Sequence, residues 1–397
     1  MRLGFDFRGA QCSGSGLRGI GRYTLELLKG ILTYAPEIEV TLFVKPKGEI
    51  PEELKACKIV PVDALSWTDP TDALRTKIPK IRSLNILHAR HCRRSVAEQK
   101  VAMEKALAEN PVDLLHIPSA LDIGSYPIFD YPCPVVMTFL DAIVLKLKEN
   151  TYNRFRPFLQ AYYLEQAENL KKATQIIAIS QASAKDAAEV FKLDPTKIDV
   201  VYPSVSQEYG TPRPKPNWVG DKPYFLFCSV PDPHKNPQVV VEAFGKMPIG
   251  YQLIFVSPTE SEFVPSLKKR AAELGFGDDF TITGYVPEEE LYGLFQHATA
   301  LVSPSQMEGF GLPVAQAMRS GTPVVTSKYS AQGEIAEGVG YLVDPNSVDE
   351  VAKAMQQVLQ DGRDEVRLAK GIERAKLFDA ERMTAELVES YRRALSQ

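Results

Sequence analysis

The chain has 397 residues, 44% hydrophobic and 24% charged, with a formal net charge of −4. That length exceeds one ordinary core and points to two domains, and the composition excludes disordered, fibrous and membrane-spanning classes. Five scattered cysteines (Cys12, Cys57, Cys92, Cys133, Cys228) form no C-x-x-C pair, which argues against a disulfide framework or a zinc site and fits a reducing cytoplasm.

The chain opens directly on a strand, "RLGFDF", with no basic-then-apolar leader. The loop "CSGSGLRGIGRY" follows, where Gly14, Gly16 and Gly19 match G-x-G-x-x-G. A dinucleotide site needs a tight turn after the strand and an acid about 20 residues on. Six residues intervene before Gly14, and the second strand, "EVTLFV", ends in Lys45 and Pro46. The dehydrogenase reading therefore fails two of its three tests. What stays is a glycine loop that lets a ligand approach the backbone, opening a helix marked by Ile20, Tyr23, Leu27 and Ile31.

Residues 75–105 carry nine Lys or Arg against Glu98 and Glu104, an excess of seven positive charges. Such a run is either a solvated face or a docking surface for an anionic lipid or acceptor. Strands "DLLHIP", "PVVMTFL", "QIIAIS" and "IDVVYP" come next, with helices at 153–172 and 182–191. Residues 203–223, rich in Pro and Gly, read as a linker. Beyond it lie "YFLFCSV", "YQLIFVS", "FTITG", "ALVSPS", "PVVTS" and "GYLVDP", again separated by helices. Apolar strands alternating with helices predict an α/β fold of two parallel sheets. Expected boundaries are 1–205 and 221–378. Ligands of such sheets bind beyond the carboxyl ends of the strands, so the cleft between the domains is the expected site.

The most specific stretch is "ALVSPSQMEGFGLPVAQAMRSGTPVVTS". A strand ends near Ser303, a loop carries Glu308, Gly309, Phe310 and Gly311, and Pro313 suits the start of a helix that Gly321 ends. Loop amides and a helix N-terminus make a phosphate site. Glu308 would repel phosphate, so it suits hydroxyl groups, and Gln316, expected on the first turn of that helix, can face the same pocket. In "CSVPDPHKNPQVVVEAF", Lys235 sits where strand hands over to helix. Taken singly it reads as a solvent-facing lysine; paired with the first stretch, a diphosphate between Lys235 and Gly309 is the better reading. His88 and His91 share an element at metal-ligand spacing but read as surface residues, His116 and His297 show no such spacing, and no metal site is expected. No G-x-x-x-x-G-K-[ST] occurs, and nucleic-acid binding has only the basic run in its favour.

Together "EGFGLPVAQAM", "SGTPVV", "PDPHKN", "ITGYVPEEELYGLF", "IIAISQASAKD" and "GIGRY" resemble the retaining glycosyltransferases of family 4, across nearly the whole chain. Within the family, "PDPHKN" with Ser229 looks most like bacterial mannosyltransferases of polysaccharide assembly. The resemblance implies the GT-B fold, two Rossmann-like domains facing a central cleft, with a final helix at about 379–397 crossing back onto the N-terminal domain. It implies retaining transfer of a hexose, mannose by preference, from a nucleotide sugar to a glycan or lipid-linked acceptor. GDP is favoured over UDP, and no metal or other cofactor is implied. Glu308 would bind sugar hydroxyls, and the backbone of Gly309, Phe310, Gly311 and Leu312 would hold sugar and diphosphate. Lys235 would balance the leaving diphosphate, with Ser229 assisting; Tyr285 and Val286 would meet the base; Asp141 would face the acceptor. The loop of Gly16 and Gly19 would lie over the phosphates.

Two positions depart from the family's pattern: Gln316 replaces a second Glu, and Leu140 replaces a His before Asp141. They keep open a catalytically impaired sugar-nucleotide-binding subunit, and an epimerase on the same fold stays a further alternative. The expected location is cytoplasmic, with peripheral contact at the inner membrane face through residues 75–105.

Overall fold

Continuous apolar runs such as Leu114–Ile117, Val135–Phe139 and Gln175–Ala178 are buried at every position, as strands covered by helices on both faces must be. The computed structural model describes residues 1–11, 19–63, 82–121, 130–149, 151, 153 and 157–397. Its described strands form two wholly parallel sheets.

The first sheet contains β1 (Arg2–Asp6), β2 (Glu39–Val44), β3 (Lys58–Pro61), β4 (Leu114–Ile117), β5 (Val135–Phe139), β6 (Gln175–Ala178) and β7 (Ile198–Val200), in the order β3-β2-β1-β4-β5-β6-β7. The second contains β8 (Tyr224–Cys228), β9 (Gln252–Val256), β10 (Phe280–Ile282), β11 (Ala300–Ser303), β12 (Val324–Ser327) and β13 (Tyr341–Val343), in the order β10-β9-β8-β11-β12-β13. Both are Rossmann-like, and the pair has the GT-B architecture that the resemblance implied. In each sheet the strand order reverses beside its first strand. Those two switch points, at the carboxyl ends of β1 and β4 and of β8 and β11, are where such sheets bind ligands.

The C-terminal helix Ala380–Leu395 lies on the first sheet's side of the molecule, against the helix Gly19–Tyr34. Gly30 makes that contact possible: a Cβ there would sit 2.4 Å from Thr384 Oγ1. The Tyr391 hydroxyl bonds His116 Nδ1 at 2.6 Å, and His116 Nε2 bonds Thr138 Oγ1 at 2.9 Å. His116 is wholly buried. Burial pushes its imidazole down to about 3, so it is neutral and works as a spacer between helix and sheet. His297 is on the surface, where its Nε2 meets the Arg213 carbonyl at 2.9 Å.

The segment at 203–223 is less free than a linker. Tyr209 within it is buried against Tyr292 and Phe295, and a Cβ on Gly293 would strike the Pro214 carbonyl at 2.2 Å. Proline gives this stretch its linker composition, but its backbone packs on the helix Glu288–His297. The helix expected at 153–172 is described from Pro157 to Asn169, followed by a 3-10 turn to Lys172.

Candidate functional site

Lys235 and Glu308 come from the loops that leave β8 and β11, the two strands flanking the second sheet's switch point. Lys235 ends a short 3-10 turn, Pro233–Lys235, and Asn236 follows in the left-handed conformation at φ 54°. Asn236 fixes that turn. Its buried Nδ2 donates to the carbonyls of Pro304 at 3.0 Å and Pro345 at 2.8 Å, tying the β8 loop to those after β11 and β13. Gln306 N donates to the His234 carbonyl at 2.7 Å. Glu308 is held by Ser330, whose Oγ accepts from Glu308 N at 3.2 Å and donates to Glu308 O at 2.7 Å. Ser330 has φ 57°, a left-handed backbone that these two bonds stabilise.

Lys235 Nζ lies 2.5 Å and 2.6 Å from the two Glu308 oxygens. The side chains are only 18% and 14% exposed, so the pair is shielded from water. Burial pushes the Glu308 carboxyl up, but Lys235, His234 and hydrogen bonds outweigh it and hold the group below the usual range. Burial, and then Lys235, push His234 down. Glu308 is therefore charged and His234 neutral at pH 7.

Asp141 approaches from the first sheet, just past β5. Its Oδ1 accepts from Ile143 N at 2.9 Å. Burial raises its pKa to about 6; the Ile143 hydrogen bond and Lys235 lower it, while Glu308 and Asp186 raise it. Asp141, Lys235 and Glu308 thus share one electrostatic environment across the domain boundary.

At Gly309 the loops of the two sheets approach closely. A Cβ there would meet the Leu140 carbonyl at 2.2 Å. The Gly309 carbonyl accepts from Ser180 Oγ at 2.7 Å and Ser183 Oγ at 3.0 Å, and Ser183 Oγ also reaches the Leu140 carbonyl at 2.8 Å. Beside them Glu334 caps the helix Gln181–Glu189 from the other domain, accepting from Gln181 N at 3.0 Å and Ala182 N at 2.9 Å. The Tyr202 hydroxyl adds a third bond to Glu334 at 2.7 Å.

Gly311 takes φ 101° as the N-cap of the helix Leu312–Arg319, a conformation that favours glycine. Pro313 is the second helical residue, and Gly321 lies just beyond the C-cap at φ 64°. The Phe310 ring packs away from the cleft on Tyr202 and Phe378, so only its backbone can serve a ligand. Gln316 is 8% exposed and lies in the helix's second turn. Ser229 presents its carbonyl to Ser257 Oγ at 2.7 Å. Tyr285 is 89% exposed and Val286 buried, in the turn after β10.

Gly19 is the first residue of its helix; Gly14 and Gly16 lie outside the described residues. So does part of the basic run, at 75–81 and in the side chains of 82–92. In its described part Arg94, Lys100 and Lys105 pair with Glu98, Glu104 and Glu109 one turn on, at 2.7, 3.7 and 3.8 Å, as a solvated face does. Among the described residues no His, Cys, Asp and Glu cluster could hold a metal, and no helix is long and apolar enough to cross a membrane.

Ser180, Ser183, Ser330 and Glu334 carry the site's scaffold and were not singled out from sequence. Ser180 has the local signature of a helix N-cap, accepting from Ser183 N at 2.9 Å. Its bond to Gly309 has no local signature at all.

Residues 17–209 match the family described as Glycosyltransferase Family 4, and residues 209–375 match Glycosyl transferases group 1. The chain is 27% identical to O-antigen chain mannosyltransferase B of Escherichia coli, over 95% of this chain and 96% of that protein. Sucrose-phosphate synthase of Thermosynechococcus elongatus superposes with a TM-score of 0.75 at 18% identity, covering 99% of this chain and 98% of that one. Anabaena Alr3699/HepE, solved with UDP and glucose, gives 0.72 at 17% identity over 99% of each chain. At those identities the structural likenesses speak to fold.

Proposed function

The chain belongs to the family 4 glycosyltransferases, and from that premise we propose that it moves a hexose, mannose by preference, from a nucleotide sugar to a glycan or lipid-linked acceptor with retention. The observation that carries this reading is the shielded Lys235–Glu308 pair at the second sheet's switch point, with Asp141 opposite. Mannose is supported by the E. coli mannosyltransferase, which matches over nearly its whole length.

In the resting protein Lys235 and Glu308 satisfy each other. A bound donor would separate them, its diphosphate taking Lys235 and its sugar hydroxyls taking Glu308. The amides at Gly311 and Leu312 and the helix dipole add positive potential where charge develops on the leaving group. The bond from the anomeric carbon to the phosphate oxygen breaks as the acceptor oxygen attacks from the same face, and the acceptor proton passes to the departing phosphate. Asp141 would accept from an acceptor hydroxyl and orient it. The contacts of Gly309 with Leu140, Ser180 and Ser183 would keep water from the donor.

Calorimetric titration with GDP and UDP tests the donor reading. GDP should bind more tightly, and binding of neither would overturn it.

The raised pKa of Asp141 gives a pH signature. The carboxyl holds its proton more tightly folded than unfolded, so its stabilising contribution is complete below the ordinary aspartate value of 3.8 and is lost as pH rises to about 6. Asp141→Asn should therefore be more stable than wild type at pH 7 and less pH-dependent between about 4 and 6 by thermal unfolding. Transfer by wild type should rise as Asp141 ionises near pH 6, and Asp141→Asn should flatten that limb.

Gln316 carries a separate prediction. A carboxylate accepts from two ribose hydroxyls, whereas an amide has one acceptor oxygen. Gln316→Glu should tighten the preferred nucleoside diphosphate by roughly 1 kcal/mol, about five-fold, the difference between charged and neutral hydrogen bonds. Equal or weaker binding by calorimetry would take Gln316 out of the ribose site.

A further inference from the structure

We propose that Arg22, from the N-terminal domain, is the second cation for the donor's diphosphate, and that Glu288 holds it until the donor arrives. The inference rests on the nucleotide-sugar reading above and adds to it a residue from the opposite wall of the cleft.

Charge at the site calls for such a group. Lys235 is the cation that the β8 loop supplies, and Glu308 cancels it. His234 is neutral, and Asp141 adds negative charge once ionised. A helix N-terminus offers only about half a positive charge. A doubly charged diphosphate would therefore meet a site with no net positive charge from these side chains.

Arg22 is the fourth residue of the helix Gly19–Tyr34, on the first sheet's side of the cleft. It forms an ion pair with Glu288, the first residue of the helix that follows the Tyr285–Val286 turn. Its charge also reaches the end of β8. Burial pushes the Cys228 thiol, at the end of β8 beside Ser229, up to about 12, and Arg22 pulls against that rise. Tyr209 lies in the same field; it is 1% exposed, and its hydroxyl has no hydrogen-bond partner among the described residues. Arg22 thus pairs with the helix that follows the turn proposed for the base, and its field reaches the end of the strand that leads to Ser229.

Its present partner is replaceable. Arg22 and Glu288 are 43% and 49% exposed, and pairs so exposed are weak. A guanidinium fork fits phosphate oxygens as well as it fits a carboxylate. Exchanging Glu288 for diphosphate would leave Arg22 on the N-terminal domain while the donor sits on the C-terminal one. Donor binding would then draw the two walls together.

Calorimetry with GDP, UDP, guanosine and uridine tests this on wild type, Arg22→Ala, Arg22→Lys and Glu288→Gln. Arg22→Ala should weaken the better-bound nucleoside diphosphate about ten-fold or more and leave its nucleoside unchanged, with Arg22→Lys between the two. Glu288→Gln, which frees Arg22, should bind the diphosphate as well as wild type or better. Diphosphate binding by Arg22→Ala within two-fold of wild type, or equal weakening in Glu288→Gln, would reduce Arg22 to a bridge between domains. If wild type binds neither diphosphate, the donor reading falls and this inference with it. If wild type binds and Arg22→Ala matches it, only this inference falls.

Discussion

Glu308→Ala is expected to lower transfer about 10²- to 10⁴-fold, the loss of two hydrogen bonds between a carboxylate and sugar hydroxyls at roughly 1.5–3 kcal/mol each. The same variant should bind nucleoside diphosphate as tightly as wild type or more tightly. In the resting protein Lys235 is already engaged by both Glu308 oxygens, and removing the carboxylate frees that cation for phosphate. Lys235→Ala should do the opposite and weaken the diphosphate about ten-fold or more. Each variant leaves one shielded charge unpaired, so each should also lose about 1–3 kcal/mol of stability, less than a fully buried pair would lose. Chemical denaturation, calorimetry and a transfer assay on both variants separate these effects. Transfer within a few-fold of wild type in both would remove the pair from the site.

Gly309→Ala is expected to cost about 10²-fold in transfer, although it removes no functional group. The added Cβ would meet a backbone oxygen, that of Leu140, at 2.2 Å. No rotamer relieves such a contact, so loop and β5 edge must separate by about 1 Å. A misplacement of that size can cost about 10²-fold when reacting groups sit on opposite walls. Each sheet keeps a buried cluster of its own on one face, so circular dichroism should be unchanged, and scattering should show a more open molecule. Wild-type transfer by this variant would mean that the approach of Gly309 to Leu140 is incidental to catalysis.

Much of the fold was legible because parallel strands buried on both faces write continuous apolar runs, as in "VVMTF" and "QIIA". Lys235 and Glu308 were legible because proline and glycine punctuate the loops that carry them. Their direct pairing was not, since 73 residues separate them and either could have faced water. The scaffold was illegible for the same reason in stronger form: Ser180 reaches Gly309 across 129 positions, and Gln181 reaches Glu334 across 153. The role of His116 was not legible, because its partner Tyr391 arrives from the chain's last helix. Arg22 was in view within "GIGRY", but its partner Glu288 lies 266 residues on.

The most direct test of glycosyl transfer is to incubate the protein with GDP-mannose labelled in the sugar, with and without a lipid extract, and to follow the label and its anomeric configuration. Label should pass to a lipid- or glycan-linked product with the donor's anomeric configuration kept, and only when acceptor is present. Label that stays on an unaltered donor with acceptor present, or returns as a different nucleotide sugar, would contradict the account.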